Sequence, residues 1–195
     1  MRLHVKELCF LLILAIPSFE AANKCQKRQP ENFHGMKPII YIKEKKAFSG
    51  GLIKYIPVQS PEWELTLSIK FNSFITNLWK GILRFTDGSA HLNHGNRVPL
   101  LVMKGSMLQI SSSVNNNWDH YYLKYNLVLN TVYNIKVAQY YISNGRYRYF
   151  IEIDGIEVKS TVNTNPMQFY NVAVYILQSS GADCDVTNLK FVNFL

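Results

Sequence analysis

Three carboxylates in one short stretch could carry out acid–base chemistry. Glu152, Asp154 and Glu157 follow the spacing E-x-D-x-x-E, and retaining hydrolysis of a glycosidic bond needs two carboxyl groups about 5–5.5 Å apart. Residues i and i+2 of a strand share a face, so Glu152 and Asp154 could share a groove. However, Asp154 precedes Gly155, and Asp-Gly favours a tight hairpin turn. Because such a turn places Glu157 on the next strand, the sequence favours a structural hairpin and no catalysis.

A second stretch, which begins with three asparagines, combines aromatic, amide and carboxylate side chains. An aromatic ring can stack on a sugar while amides and carboxylates bind its hydroxyl groups. The sequence therefore predicts a carbohydrate-binding loop over residues 115–120. The alternative is that the aromatic side chains pack beneath this loop. The predicted ligand-binding residues are Asn117, Trp118, Asp119, His120, Tyr121 and Arg97.

Other loop residues carry oxygen ligands of the kind that calcium prefers. Asp87 and Asn96 are the predicted calcium ligands, although such residues are common in any loop between strands. His91 and His94 are three positions apart, but no third residue has the spacing of a zinc site. No other cofactor is expected.

The elements that position these residues are β-strands, because apolar and polar residues alternate along much of the chain. Trp63–Phe71 is the clearest case, and its alternation predicts one face on a core and one in water. A similar run ends at Phe85, with Trp79 predicted on the core side. Roughly twelve short strands at spacings of about ten residues predict an all-β, two-sheet antiparallel sandwich without a helix.

A meander of three strands is predicted between residues 132 and 162. Asn144-Gly145 and Asp154-Gly155 supply its turns, because tight hairpin turns need residues that accept a positive φ. We expect the segment Tyr121–Leu129 to pair with this meander.

The first 21 residues have the features of a secretory signal peptide: a short basic start, an apolar run and small residues before the cleavage point. Residues 22–37 are predicted to form a polar tail, and residues 38–195 the sandwich domain. Cleavage leaves Cys25 and Cys184, which an oxidising compartment would join in a disulfide. Free or intermolecular thiols are the alternative. We expect a secreted, extracellular protein without a transmembrane segment.

The chain carries a formal net charge of +8. In a secreted protein such a charge favours anionic partners such as sulfated glycans or acidic lipids, unless it serves only to maintain solubility. Nucleic acid is not an expected partner of a secreted protein.

The order of these segments resembles the concanavalin A-like and laminin-G-like jelly rolls, which implies a jelly-roll sandwich and, for laminin-G-like domains, a calcium site at the rim. The E-x-D-x-x-E spacing resembles the catalytic strand of the jelly-roll β-glucanases. Five stretches are similar to a group of secreted invertebrate proteins: Gly95–Pro99, Leu108–Ile110, Val114–Asn117, Asn163–Pro166 and Tyr170–Tyr175.

Three functions are compatible with these features. The first is a secreted, non-catalytic module that binds carbohydrate or another extracellular-matrix ligand through its rim loops. The second is a structural matrix protein without a small ligand. The third is a glycoside hydrolase of the β-glucanase kind. The expected partner is an extracellular glycan or matrix component, and the oligomeric state stays open.

Overall fold

The computed structural model describes residues 39–44, 50–74, 77–177 and 182–194. The predicted signal peptide, the polar tail and Cys25 lie outside these residues and stay predictions. Cys184 lies within them and is buried. Its disulfide with Cys25 therefore also stays a prediction.

Twelve strands are formed by the described residues, none of which is helical. The described residues therefore contain no helix that could cross a membrane. In chain order the strands are β1 (Ile39–Glu44), β2 (Gly51–Gln59), β3 (Trp63–Phe71), β4 (Lys80–Thr86), β5 (Leu100–Lys104), β6 (Met107–Val114), β7 (Asn117–Lys124), β8 (Val132–Ser143), β9 (Arg146–Ile153), β10 (Ile156–Asn163), β11 (Phe169–Ile176) and β12 (Cys184–Asn193).

The strands form two six-stranded sheets. Sheet A has the order β1-β12-β3-β8-β9-β10, and sheet B has the order β2-β11-β4-β5-β6-β7. Every neighbouring pair is antiparallel. The prediction of an all-β, two-sheet antiparallel sandwich is confirmed.

The two sheets meet along their apolar faces. Leu65 and Leu67 of β3 are buried in the core, as their alternation predicts. Phe191 of β12 packs against Trp63 in its own sheet and against Phe85 of sheet B, with ring centroids 6.2 and 5.1 Å apart. Aromatic packing therefore joins the two layers at the centre of the sandwich.

The other face of β3 differs from the prediction. Its alternation predicts this face in water, but Glu64 and Ser68 are only 8% and 6% exposed. β3 lies between β12 and β8, and side chains from both neighbours reach over it: Tyr140 donates a hydrogen bond to Glu64, and Ser68 bonds to Asn134 and Asn188. The polar face of this central strand is therefore a hydrogen-bonded layer.

Trp79 also differs from the prediction. It is 46% exposed and precedes β4 instead of lying within it. Because the residue is outside the paired strand, the alternation of β4 does not direct its side chain into the core.

The predicted meander is confirmed as β8, β9 and β10. Asn144 and Gly145 have φ angles of 51° and 69°, and Asp154 and Gly155 have φ angles of 52° and 78°. Two consecutive positive φ angles characterise the type I′ turn, whose twist matches that of the flanking strands.

Two predictions for residues 115–129 are wrong. Asn115 and Asn116, with φ angles of 52° and 62°, form a two-residue turn, and the chain returns along β6 as β7. Residues from Asn117 onward therefore lie on a strand and not in a loop. β7 is the edge strand of sheet B and does not pair with the meander. The reason is that asparagine tolerates the left-handed region. The three asparagines suggest a long loop, but two of them form the tight turn of a hairpin.

Candidate functional site

Three of the predicted ligand-binding residues meet at the surface of sheet B. Arg97 precedes β5, and its carbonyl oxygen accepts a hydrogen bond from the backbone N–H of Ser113 on β6, at 2.9 Å. The Arg97 side chain reaches β7, where its Nη1 lies 2.5 Å from Oδ1 of Asp119. The pairing of β6 with β7 therefore brings residues from two separate segments into one salt bridge.

The same guanidinium lies over an aromatic ring. The Cζ atom of Arg97 is 4.3 Å from the ring centroid of Trp118, a distance typical of a cation–π contact. The ring of His91 packs edge-on against Trp118, with centroids 5.2 Å apart. Because arginine can only donate, Nε2 of His91 is the acceptor in its 3.4 Å contact with Nη2 of Arg97. We call Arg97, Trp118, Asp119 and His91 the Arg97 cluster.

Asp119 of the Arg97 cluster lies on the outer face of sheet B, and the cluster is open to solvent in part. Gln109 alternates with the buried residues Leu108 and Ile110, so its side chain points away from sheet A, and its Nε2 donates to Oδ1 of Asp119 at 3.4 Å. The side chains of Arg97 and Asp119 are 13% and 22% exposed. A ligand can therefore reach the polar atoms, which their own contacts hold in place.

A second arginine, Arg84, adds positive charge beside the Arg97 cluster. Arg84 of β4 donates from Nε to the carbonyl oxygen of Asn96, at 3.2 Å. Burial lowers the pKa of Arg84, and the nearby charge of Arg97 lowers it further. No carboxylate of the described residues forms a salt bridge with Arg84. Two guanidinium groups and one carboxylate therefore share this surface.

One hydrogen-bond donor at the centre of the cluster is unused. Nε of Arg97 is buried and has no hydrogen-bond partner among the described residues. A buried donor without a partner is unfavourable, so this nitrogen lowers the stability of the site.

The structure places the other predicted ligand-binding residues outside the Arg97 cluster. Oδ1 of Asn117 accepts a hydrogen bond from the backbone N–H of Asp119, at 2.9 Å. The ring of His120 packs edge-on against Tyr149 in the core, and burial, with a contribution from the charge of Lys159, lowers its pKa. Tyr121 is exposed beside them. These residues shape β7 around the cluster without joining it.

The predicted calcium ligands are engaged in the loop that they share. Oδ1 of Asp87 accepts a hydrogen bond from the backbone N–H of Ser89, at 2.9 Å, and Nδ2 of Asn96 donates to the Ser89 carbonyl, at 2.7 Å. A Cβ on Gly95 would collide with the Asp87 carboxylate. The described residues contain no group of three acidic, histidine or cysteine side chains suited to a metal ion. Calcium binding stays a prediction.

Each of the three carboxylates near Gly155 has a partner. Glu152 forms a salt bridge with Lys136 at 3.2 Å, and Glu157 forms one with Arg148. Asp154 accepts a hydrogen bond from the backbone N–H of Asn134, at 2.8 Å. Glu152 and Glu157 lie on different strands across the turn, so the hairpin interpretation is confirmed.

Sequence reasoning missed His91 and Arg84 as members of this surface. The spacing of His91 from His94 suggests only a zinc ligand, and Arg84 lies within an ordinary alternating strand. No local pattern could identify either residue, because their positions depend on the pairing of β4, β5 and β6.

No protein-family model matches the chain, and no curated protein sequence matches it. Solved structures are similar in fold. A native heptameric SAP-like pentraxin from Limulus polyphemus aligns over 76% of this chain and 75% of its own, at 15% identity and a TM-score of 0.50. An endo-β-1,4-glucuronan lyase from Trichoderma reesei aligns over 80% and 96%, at 7% identity and a TM-score of 0.50.

A third solved structure, sheep galectin-11 in complex with glycerol, aligns over 74% of this chain and 98% of its own, at 7% identity and a TM-score of 0.45. At such identities the likeness concerns the fold alone, and this fold includes at least one protein named as a lyase. The described residues form a two-sheet jelly-roll sandwich of the concanavalin A-like class.

Proposed function

We propose that this protein is a secreted, non-catalytic carbohydrate-binding module and that the Arg97 cluster is its ligand site. One observation supports this assignment above all others. The Arg97 guanidinium is held between the Asp119 carboxylate and the Trp118 ring at a partly exposed surface. This combination offers a sugar both hydrogen-bonding groups and an apolar face.

The fixed geometry of the cluster suits a ligand with several hydroxyl groups. A hydroxyl both donates and accepts, so it can bind the guanidinium and the carboxylate together. Arg97 covers one face of the indole ring, so the C–H face of a sugar would stack on the opposite face. Because the side chains already contact one another, little conformational entropy is lost on binding.

The charge of the site favours a glycan that carries an acidic group. The second guanidinium, Arg84, adds positive charge beside Arg97, and the whole chain has a formal net charge of +8. A carboxylate or sulfate on the ligand would be attracted to this surface, and the attraction would weaken as salt screens it.

The proposed setting is extracellular, because the N-terminal sequence has the features of a signal peptide. The proposed partner is a glycan of the cell surface or matrix. A structural matrix role without a small ligand is the alternative, and it predicts retention in insoluble matrix. Recovery of the protein only in soluble extracellular fluid would contradict that alternative.

The test is a glycan array, with calcium present and absent, followed by calorimetric titration of the strongest glycan. We expect Trp118→Ala and Arg97→Met to weaken binding by at least about tenfold, since each removes a contact of hot-spot type. Trp79→Ala is the matched control, because it also removes an exposed tryptophan. Trp79 precedes β4, whereas the loop that carries His91 follows β4, at the other end of the strand. The absence of any array signal, or equal weakening in the control, would refute the proposed function.

A further inference from the structure

A cavity of about 400 Å³ lies in the outer face of sheet A, whereas Trp118 and Asp119 of the Arg97 cluster belong to sheet B. Its size is within the range of small-molecule sites. We call it the sheet A cavity. The polar residues that line it are Thr66, Ser68, Asn134, Lys136, Glu152 and Asn188.

Strand register explains why these side chains lie side by side. Thr66 pairs with Lys136, Ser68 with Asn134, and Lys136 with Glu152. Because Thr66 and Ser68 alternate with the core residues of β3, they point away from sheet B. Three adjacent strands therefore present one polar surface.

A fourth strand completes this surface through an irregularity. The register of β12 against β3 shifts between Thr187 and Lys190, and Asn188 has a φ angle of 52°. Such a bulge redirects a side chain out of the regular alternation. Here it brings Nδ2 of Asn188 to 3.2 Å from Oγ of Ser68, to which it donates a hydrogen bond.

The floor of the sheet A cavity is a directed chain of hydrogen bonds. Asn188 donates to Ser68, Oγ of Ser68 donates to Oδ1 of Asn134 at 2.9 Å, and Nδ2 of Asn134 approaches Oδ1 of Asp154 at 3.3 Å. Each side chain is oriented by its neighbour before any ligand arrives. Such preorganisation reduces the entropy cost of binding.

The two charged side chains that line the sheet A cavity, Lys136 and Glu152, neutralise each other, and the Asp154 carboxylate lies beyond the lining. Nζ of Lys136 and Oε2 of Glu152 are 3.2 Å apart, and their side chains are 35% and 18% exposed. An ammonium group has three donors and a carboxylate can accept several bonds, so both retain capacity for a ligand. None of the described residues that line the cavity is aromatic. Recognition here would therefore depend on hydrogen bonds and favour an uncharged ligand.

We propose that the sheet A cavity is a second binding site, for an uncharged sugar residue. A hydroxyl of the sugar bridges Lys136 and Glu152, and further hydroxyls bind Thr66 and the amide of Asn188. This site does not depend on the function proposed for the Arg97 cluster. Because the two sites share no residue, a chain that uses both is bivalent.

The test is an NMR titration of the whole protein with glucose, galactose and mannose. We expect at least one sugar to shift the side-chain amide resonances of Asn134 and Asn188 and the backbone amide of Gly155 in a saturable manner. Lys136→Met should weaken this binding about tenfold, because it removes a hydrogen bond from a charged group. Thr66→Val, which preserves shape and β-branching, should weaken it as well.

Lys70→Met is the matched control. Lys70 of β3 forms a similar ion pair with Asp185 of β12, at 2.8 Å, but it does not line the cavity. Trp118→Ala should retain the shifts, which keeps the result independent of the Arg97 cluster. The proposal is overturned if none of the sugars produces saturable shifts, if Lys70→Met and Lys136→Met behave alike, or if Trp118→Ala removes the shifts.

Discussion

Nζ of Lys159 donates a hydrogen bond to the carbonyl oxygen of Tyr121, at 2.6 Å. Lys159 lies on β10, the edge strand of sheet A, and Tyr121 lies on β7, the edge strand of sheet B. This bond joins the two sheets along one side of the sandwich. It also places a positive charge near His120. Burial lowers the pKa of His120, and this charge lowers it further.

We expect His120 to make the protein less stable in acid. Its pKa is lower in the folded chain, whereas in the unfolded chain it is near its ordinary value of about 6.5. Above that pH His120 is neutral in both states; as the pH falls below it, the unfolded chain binds the proton more readily, so the free energy of unfolding decreases. His120→Phe should reduce this decrease when denaturant unfolding is measured between about pH 7 and 5. An unchanged pH profile in the variant would contradict the prediction.

The Arg97–Asp119 salt bridge should show strong coupling in a double-mutant cycle. Arg97→Met or Asp119→Asn alone leaves a partly buried charged group without its partner, and each should lower the free energy of unfolding by about 1–3 kcal/mol. The double variant should lose less than the sum, by at least about 0.5 kcal/mol, because neither charge is then left unpaired. Denaturant titration gives all four values, and strict additivity would show that the two residues do not interact.

Asn115 should contribute more to the free energy of unfolding than a turn asparagine without side-chain hydrogen bonds to another strand. Its Nδ2 donates to the Val162 carbonyl at 2.7 Å, and its Oδ1 accepts from the backbone N–H of Thr164 at 2.7 Å. Asn144, with a φ angle of 51°, is the matched control for backbone strain. Asn144→Ala should cost about 1–2 kcal/mol and Asn115→Ala about 1–3 kcal/mol more, measured by denaturant unfolding. Equal costs would assign the whole effect to the turn.

The three carboxylates near Gly155 should have no hydrolytic role. Because Glu152 and Glu157 are paired with cations and Asp154 accepts hydrogen bonds from Asn134, we expect the purified protein to release no reducing sugar from laminarin. Release that disappears in both Glu152→Gln and Glu157→Gln would instead identify a glycoside hydrolase.

The predicted calcium site can be tested by thermal unfolding. The side chains of Asp87 and Asn96 already hold the loop through Ser89, and a specific ion would raise the midpoint of unfolding in proportion to the logarithm of its concentration. Melting curves with calcium and with a chelator provide the test. A rise that is lost in Asp87→Asn would place a calcium ion in this loop.

Local chemistry made much of the fold predictable. Alternation identifies β3, because a strand with one face on the core shows a period of two whatever its partners are. Asp154-Gly155 identifies a turn for an equally local reason, since few residues accept two consecutive positive φ angles. The Asn115-Asn116 turn was harder to recognise, because without a glycine the same asparagines are also typical of a loop.

The functional surfaces were predictable only in part. Trp118 and Asp119 are neighbours in the sequence, so their composition alone suggests a ligand site. Their contact with Arg97 depends on the pairing of β6 with β7 and on the loop that precedes β5. No pattern within a short window contains that information.

The all-β class and the turns of the meander follow from local sequence, because alternation and positive φ angles are properties of neighbouring residues. Which strands lie side by side depends on the folded chain. That arrangement places Arg97 against Asp119, packs His120 against the buried ring of Tyr149, and gathers Thr66, Asn134 and other polar side chains into the sheet A cavity. The reason is that hydrogen bonds between strands join residues far apart in the chain, and only the packing of the whole core selects among the possible pairings.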